Sequence, residues 1–304
     1  DADGKETVYT YDLEGNLTSL TDENGSTEKM TYDMAGNLTS IVRPDSTTVT
    51  YDYDKLNNLV SKTYSEDESE VLYLYDTVGN RTSMTDTTGE STYAYDIMGR
   101  VTSMTSADGK TIEYAYDNAG NLSAITYADG RVVSYTYDLN DRLTKVTDDG
   151  EETTYEYDAI GRVTLTTRPD GSKTTYTYDE RGNLVTLVNT GSDETLLSSF
   201  TYTYDEQGYI VKEVAESEDK KVTRRYSYNL SGELTLFTEA EGLKYAEYAY
   251  SYDDSGNRIR LEKKGIAKPE TITYEYNKAN QLVSSTSTIS GKTEYEYDEN
   301  GSLI

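Results

Sequence analysis

The chain has 304 residues, a net charge of −28 and 35% hydrophobic residues, among them 32 Tyr but only two Phe and no Trp. It contains no cysteine and no histidine, which excludes a disulfide framework, thiolate chemistry and an imidazole general base. So acidic a surface repels phosphate backbones and anionic lipid, so neither nucleic acid nor direct membrane insertion is expected, and no apolar run approaches the roughly 20 residues of a spanning helix. Low hydrophobicity with high charge would suit disorder, but disordered chains are poor in the Tyr, Thr and Val that fill this one. Strand formers at this density predict an all-β protein.

Taken in chain order, the predicted elements repeat. Residues 1–12 align in phase with Ser106–Asp117, so the sequence opens on a turn and runs into a strand ending at Tyr11. Equivalent tyrosines follow at 32, 53, 75, 95, 116, 137, 157, 178, 204, 228, 252, 276 and 297, fourteen in all, at intervals of about 21 residues. A second Tyr stands two residues earlier in thirteen cases, Met30 being the exception. Residues i and i+2 of a strand share a face, so Tyr114 and Tyr116 place their rings side by side. Ladders of such rings across successive strands are expected to supply the cohesion that a deep aliphatic core usually gives.

Each motif Tyr is followed by Asp, or by Asn at 229 and 277, and three residues later by Gly, or by Asn57, Asn280 or Asp141. Asp and Asn accept a hydrogen bond from the backbone two residues on, and Gly, Asn and Asp best tolerate φ > 0. Asp-x-x-Gly therefore predicts a type I turn followed by a left-handed residue. The clearest sets are Tyr11, Asp12 and Gly15; Tyr32, Asp33 and Gly36; Tyr95, Asp96 and Gly99; Tyr116, Asp117 and Gly120; Tyr157, Asp158 and Gly161; and Tyr178, Asp179 and Gly182. These are expected to be structural motif residues.

An outgoing strand starts six residues after the Tyr on an aliphatic residue such as Leu17, Leu38 or Leu122, with Arg81 and Arg258 breaking the rule. A second apolar residue, such as Leu20, Ile41 or Ile125, follows at the ninth place. These two have opposite strand parity, so either a bulge corrects the phase or both faces are partly apolar. A second turn then closes each repeat, as at Asn24-Gly25, Asp108-Gly109 and Asp129-Gly130. Two strands and two turns in about 21 residues leave no room for a helix, so each repeat is one antiparallel β-hairpin. The array is regular over 1–188. Over 189–280 its periods lengthen, which predicts longer turns around Asn189–Glu194, Glu216–Lys220 and Lys263–Pro269. The whole of 1–304 reads as a single array. Neither end carries an atypical capping unit, so an excerpt of a longer protein is expected. A meander this long should coil into a spiral sheet or hollow shell, because open sheets rarely exceed about ten strands without curling.

Tyr-x-Tyr-Asp-x-x-Gly-Asn/Arg-Leu/Val at this spacing, cleanest in Tyr93–Leu184, resembles the YD repeats, also called RHS repeats. These occur in bacterial Rhs and wall-associated polymorphic toxins, in the B/C cocoon of insecticidal toxin complexes and in teneurins. The resemblance implies a hollow β-shell that encloses a C-terminal toxin or effector domain of the parent chain, and a secreted or cell-surface location. Toxin-bearing members carry an Asp-Pro-x-Gly type element tied to self-cleavage; no Asp-Pro dipeptide occurs here, so self-cleavage is not expected.

Carboxylates are abundant, but the recurring Asp each have a turn to serve, and no Asp-x-Asp-x-Asp-Gly loop occurs. No catalytic residue, cofactor or metal site is expected, and the chain is read as a structural scaffold, not an enzyme. The alternative is an extracellular adhesive or fibre-forming surface, self-associating or binding glycans through its tyrosines.

Overall fold

The computed structural model describes residues 6–265, 268–298 and 301–304. Among them are 27 strands and no helix, each strand antiparallel to its chain neighbour wherever a pairing is described. They fall into two compact units, one formed by 1–132 with 295–304 and the other by 133–294. In the first, hairpins run in unbroken succession from Val8–Tyr11 to Leu122–Thr126. In the second they run from Val132–Tyr137 to Gly291–Glu294. In the last repeat Tyr297 bridges Leu303, and the Asp298 turn closes through the Gly301 N–H to the Asp298 carbonyl.

A bulge settles the parity question. In the first hairpin Thr10 faces Ser19 but Tyr11 faces Leu17, so Thr18 is the additional residue. The same shift recurs at each motif Tyr with a described partner, as at Tyr116 opposite Leu122 and Tyr178 opposite Leu184. An extra residue reverses side-chain parity. The aliphatic residues at the sixth and ninth places therefore join the tyrosine pair on one face.

Burial follows that division. Along Thr48–Tyr53, Val49 is buried and Tyr51 and Tyr53 half-buried, while Thr50 and Asp52 are exposed. Within Glu70–Tyr75, Val71, Tyr73 and Tyr75 are covered and Leu72 and Leu74 exposed. Among the described residues only five hydrophobic side chains are buried: Val49, Val133, Val222, Ala246 and Leu261. Cohesion must therefore come from near-neighbour contacts repeated along the chain, as in other repeat proteins.

The irregular stretch differs from expectation. Its added residues extend the strands rather than the turns: Leu196–Tyr204, Lys220–Tyr228 and Lys244–Tyr252 each have 9 residues, against 6 in Thr111–Tyr116. Ser217 pairs with Lys220 and Glu241 with Lys244, leaving two-residue turns, and a short turn from Gly191 to Thr195 follows Thr190. Extended pairing satisfies every added backbone N–H and C=O, which a floppy loop would leave to water. At the third expected long turn, Lys263–Gly265 lies in a strand, but Lys263 pairs with Glu270, and Lys268 and Pro269 lie in the connection between them, a longer turn as expected, with 266–267 outside the described residues.

Candidate functional site at the hairpin junctions

The recurring motif residues converge on the turn and on the next hairpin. In the first repeat the Asp12 N–H donates to the Asn16 carbonyl at 3.0 Å, and the Gly15 N–H donates to the Asp12 carbonyl at 3.3 Å. All fourteen residues at the Gly position have positive φ, including Asn57 at 63°, Asp141 at 58° and Asn280 at 57°. Several of the second turns repeat this geometry, and at the second turns Ser46, Glu68 and Glu194 take positive φ without the residue type that would announce it.

The motif Asp does more than cap. Asp33 Oδ1 accepts from the N–H of Ala35 at 2.8 Å and of Asn37 at 2.9 Å, while Oδ2 accepts from the Asn37 side-chain amide at 2.9 Å. The residue after the Gly is thus the carboxylate's donor: Asn in seven repeats, Arg100, Arg142 and Arg162 in three others. Where Asp gives way to Asn, donor and acceptor exchange. Asn229 donates to Glu233 Oε2 at 2.6 Å, and Asn277 donates to Gln281 Oε1 at 2.6 Å. The amide donors of Asn16, Asn37, Asn58 and Asn80 hold Asp12, Asp33, Asp54 and Asp76 below the ordinary carboxyl value. At Asp96 the main-chain N–H of Arg100 is the chief cause.

The motif Tyr links hairpins through its hydroxyl. Tyr32 donates to the carbonyl of Leu17 at 2.9 Å, Tyr53 to Leu38 at 2.9 Å, Tyr116 to Val101 at 2.9 Å and Tyr178 to Val163 at 2.8 Å. At least eleven such bonds recur among the described residues, each reaching the residue that opens the preceding outgoing strand. Among the described residues, rings pair at Tyr209–Tyr228, Tyr226–Phe237 and Phe237–Tyr248, all in the second unit. In several other repeats the earlier Tyr faces an aliphatic residue, as Tyr93 faces Met104 and Tyr114 faces Ile125, and in others a polar one, as Tyr51 faces Lys62 and Tyr155 faces Thr166.

Arginine reinforces the same junction. The guanidinium of Arg100 lies 4.3 Å from the Tyr116 ring centre, and those of Arg142 and Arg162 lie 4.8 and 4.5 Å from Tyr157 and Tyr178. Arg81 and Arg258, the exceptions at the aliphatic position, stand between the earlier tyrosines of two neighbouring repeats. Arg81 is 5.7 Å from Tyr73 and 4.8 Å from Tyr93; Arg258 is 5.9 Å from Tyr250 and 4.7 Å from Tyr274. The stem packs as Leu would, and the charge is drawn to the ring faces.

One charged cluster sits on the tyrosine face of the second unit. Arg224 bridges Glu213 at 2.6 Å and Glu239 at 2.8 Å, and the Tyr226 hydroxyl donates to Glu213 at 3.2 Å. Burial, with Glu213 alongside, pushes the Tyr226 phenol up to about 12. Among the described residues no group of three or more Asp or Glu is placed to hold a metal. The six sets of Tyr, Asp and Gly predicted from sequence all occupy their turns. Sequence reasoning missed the pairing of the Asp position with the residue after the Gly, whose signal was the coupled change at Asn229/Glu233 and Asn277/Gln281.

Comparison with known proteins fits this geometry. A family model described as RHS Repeat matches residues 1–27, 32–69, 75–111, 116–150, 137–173 and 157–195, and one described as Teneurin YD-shell matches 192–304. No curated protein matches the sequence. Among solved structures, TcdB2-TccC3-TEV matches with a TM-score of 0.80 at 16% identity, covering 98% of this chain and 19% of that one. TcdB2-TccC3 without its hypervariable C-terminal region gives 0.79 at 16% identity, with the same coverage of 98% and 19%. The Photorhabdus luminescens Tc holotoxin pore gives 0.79 at 16%, covering 98% and 18%. The chain therefore spans about a fifth of the length of these neighbours. The family models together follow the hairpins from the first motif Tyr to the last, and the chain belongs to the RHS-repeat family.

Proposed function

We propose that this chain is a length of wall in an encapsulating scaffold, one that holds a toxin or effector domain of its parent protein apart from its surroundings. The observation that carries the reading is the junction. The Tyr hydroxyl and Asp carboxylate recur in nearly every repeat, joined by an Asn amide or an Arg guanidinium in most, and each is engaged in tying a hairpin to itself or to the next. A chain whose recurrent polar chemistry is committed to continuity suits a barrier better than a catalyst. The fold likeness to the Tc structures supports the same role, and such a wall belongs to a secreted or cell-surface protein.

The test is protease protection in the full gene product. An effector segment carried in the same chain should resist digestion while the repeats are intact. It should become sensitive when several motif Asp are replaced by Ala to loosen the turns. Equal digestion in both forms, or a gene product with no further domain, would overturn the reading.

A further inference from the structure

The turns that follow the motif Tyr lie along one edge of the first unit, since every hairpin of the meander reverses there. The first five of their tips each carry a large apolar residue, before the turn at Asn118 ends the run. Leu13 is 101% exposed, Met34 108% and Ile97 105%, with Leu56 and Val78 also exposed. Turn tips ordinarily carry polar residues, and a contiguous exposed apolar row signals an interaction surface. At the same place in the second unit Leu139, Ile160 and Leu230 are also exposed, but Glu180, Arg181, Glu206 and Gln207 interrupt them, so the unbroken run of five belongs to the first.

This edge is preorganised. The Asn37 amide donates to Asn57 Oδ1 of the next turn at 2.9 Å. Asn80 Oδ1 lies 3.6 Å from where a Cβ on Gly99 would stand, and Arg100 Nη1 lies 3.5 Å from the equivalent point at Gly120. Adjacent turns therefore abut and hold their tips at a fixed pitch. The edge is also acidic: Asp12, Glu14, Asp33, Asp54, Asp76 and Asp96 accompany the tips, against Lys55 and Arg100, and Arg100 is paired to Asp96 at 2.7 Å. Two such edges repel, which argues against a second copy as the occupant.

Spacing selects the shape of the partner. One hairpin advances the row by two strands of about 4.8 Å, near 10 Å in all. Seven residues of α-helix advance about 10.5 Å at 1.5 Å each. We propose that the apolar turn-tip row of the first unit docks a cationic amphipathic helix, with one aliphatic residue per heptad seated between successive tips and Lys or Arg flanking it over the turn carboxylates. This surface is separate from the wall role above and stands or falls without it.

The probe is a synthetic three-heptad peptide with Leu along one stripe and Lys on both flanks, titrated by fluorescence anisotropy against the intact chain. Its counterpart carries Glu in place of Lys. Leu13→Ser, Met34→Ser and Ile97→Ser are combined in one variant, because fully exposed tips leave the fold unchanged, which circular dichroism checks. Binding of the Lys peptide, weakened about tenfold or more in the triple variant and several-fold by salt, is the expected result. No binding, equal binding of the Glu peptide, or undiminished affinity in the triple variant would overturn the proposal. Sedimentation showing self-association of the chain that the triple variant abolishes would assign the row to a second copy and overturn it equally.

Discussion

Replacing Tyr116 with Phe removes one hydroxyl and leaves the ring, its packing and its contact with Arg100 in place. The lost bond is the 2.9 Å donation to the Val101 carbonyl. A hydrogen bond of this kind contributes about 0.5–1.5 kcal/mol net, and because the junction is half-buried rather than sealed, water can partly restore the carbonyl's partner. About 1 kcal/mol of destabilisation is the expected value. The control lies two residues away: Tyr114 shares the face but has no hydroxyl partner among the described residues, so Tyr114→Phe should stay within about 0.5 kcal/mol. Tyr32, Tyr75 and Tyr116 serve alternate junctions about 20 Å apart, so the three Phe substitutions should add to about 3 kcal/mol. Urea unfolding gives the comparison directly, with the midpoint shifting at unchanged slope. Equal effects of Tyr116→Phe and Tyr114→Phe, or a triple variant losing under about 1 kcal/mol, would refute the hydroxyl link as a source of cohesion.

Other outcomes follow from the same junctions. Asn229→Asp sets a carboxylate against Glu233 and should destabilise by about 1–2 kcal/mol, with Glu233→Asn restoring the loss in a double-mutant cycle; independent effects would sink the pairing. Gly161→Ala, at φ 91°, should cost about 1–2 kcal/mol, whereas Asn57→Gly should be neutral or stabilising, both read by thermal melts. The motif Asp have folded pKa values lowered by their Asn donors, so their contribution is full above the unfolded value near 3.9 and fades as pH falls through the lower folded values. The phenols of Tyr53, Tyr75, Tyr204 and Tyr228 are raised by burial. Their contribution is full below about 10 and is lost as pH rises through the folded values. A stability profile flat from pH 8 to 12 would contradict the tyrosine assignment.

The sequence made the turns legible because turn chemistry is written in residue types: a carboxylate or amide, then a residue that accepts φ > 0. Asn57, Asp141 and Asn280 confirmed this better than another Gly could. The tyrosine link was not legible, because its acceptor is a main-chain carbonyl and any residue supplies one. Leu17, Arg81 and Ile210 serve it equally. Ser46, Glu68 and Glu194 entered the left-handed region because the hairpin required it, against their own preference. The apolar row at the tips was visible as Leu13, Met34 and Ile97, but its full exposure and common edge needed the structure.

The longer hairpins of the second unit place all their added length at the end remote from the motif turn, where Ser217 meets Lys220 and Glu241 meets Lys244. One margin of the ribbon is stitched and the other is a loose hem. Selection can let out or take in that hem, widening the fabric locally by whole residue pairs, without unpicking a single seam. A chain made this way can change the width of its sheet locally while its joinery stays the same.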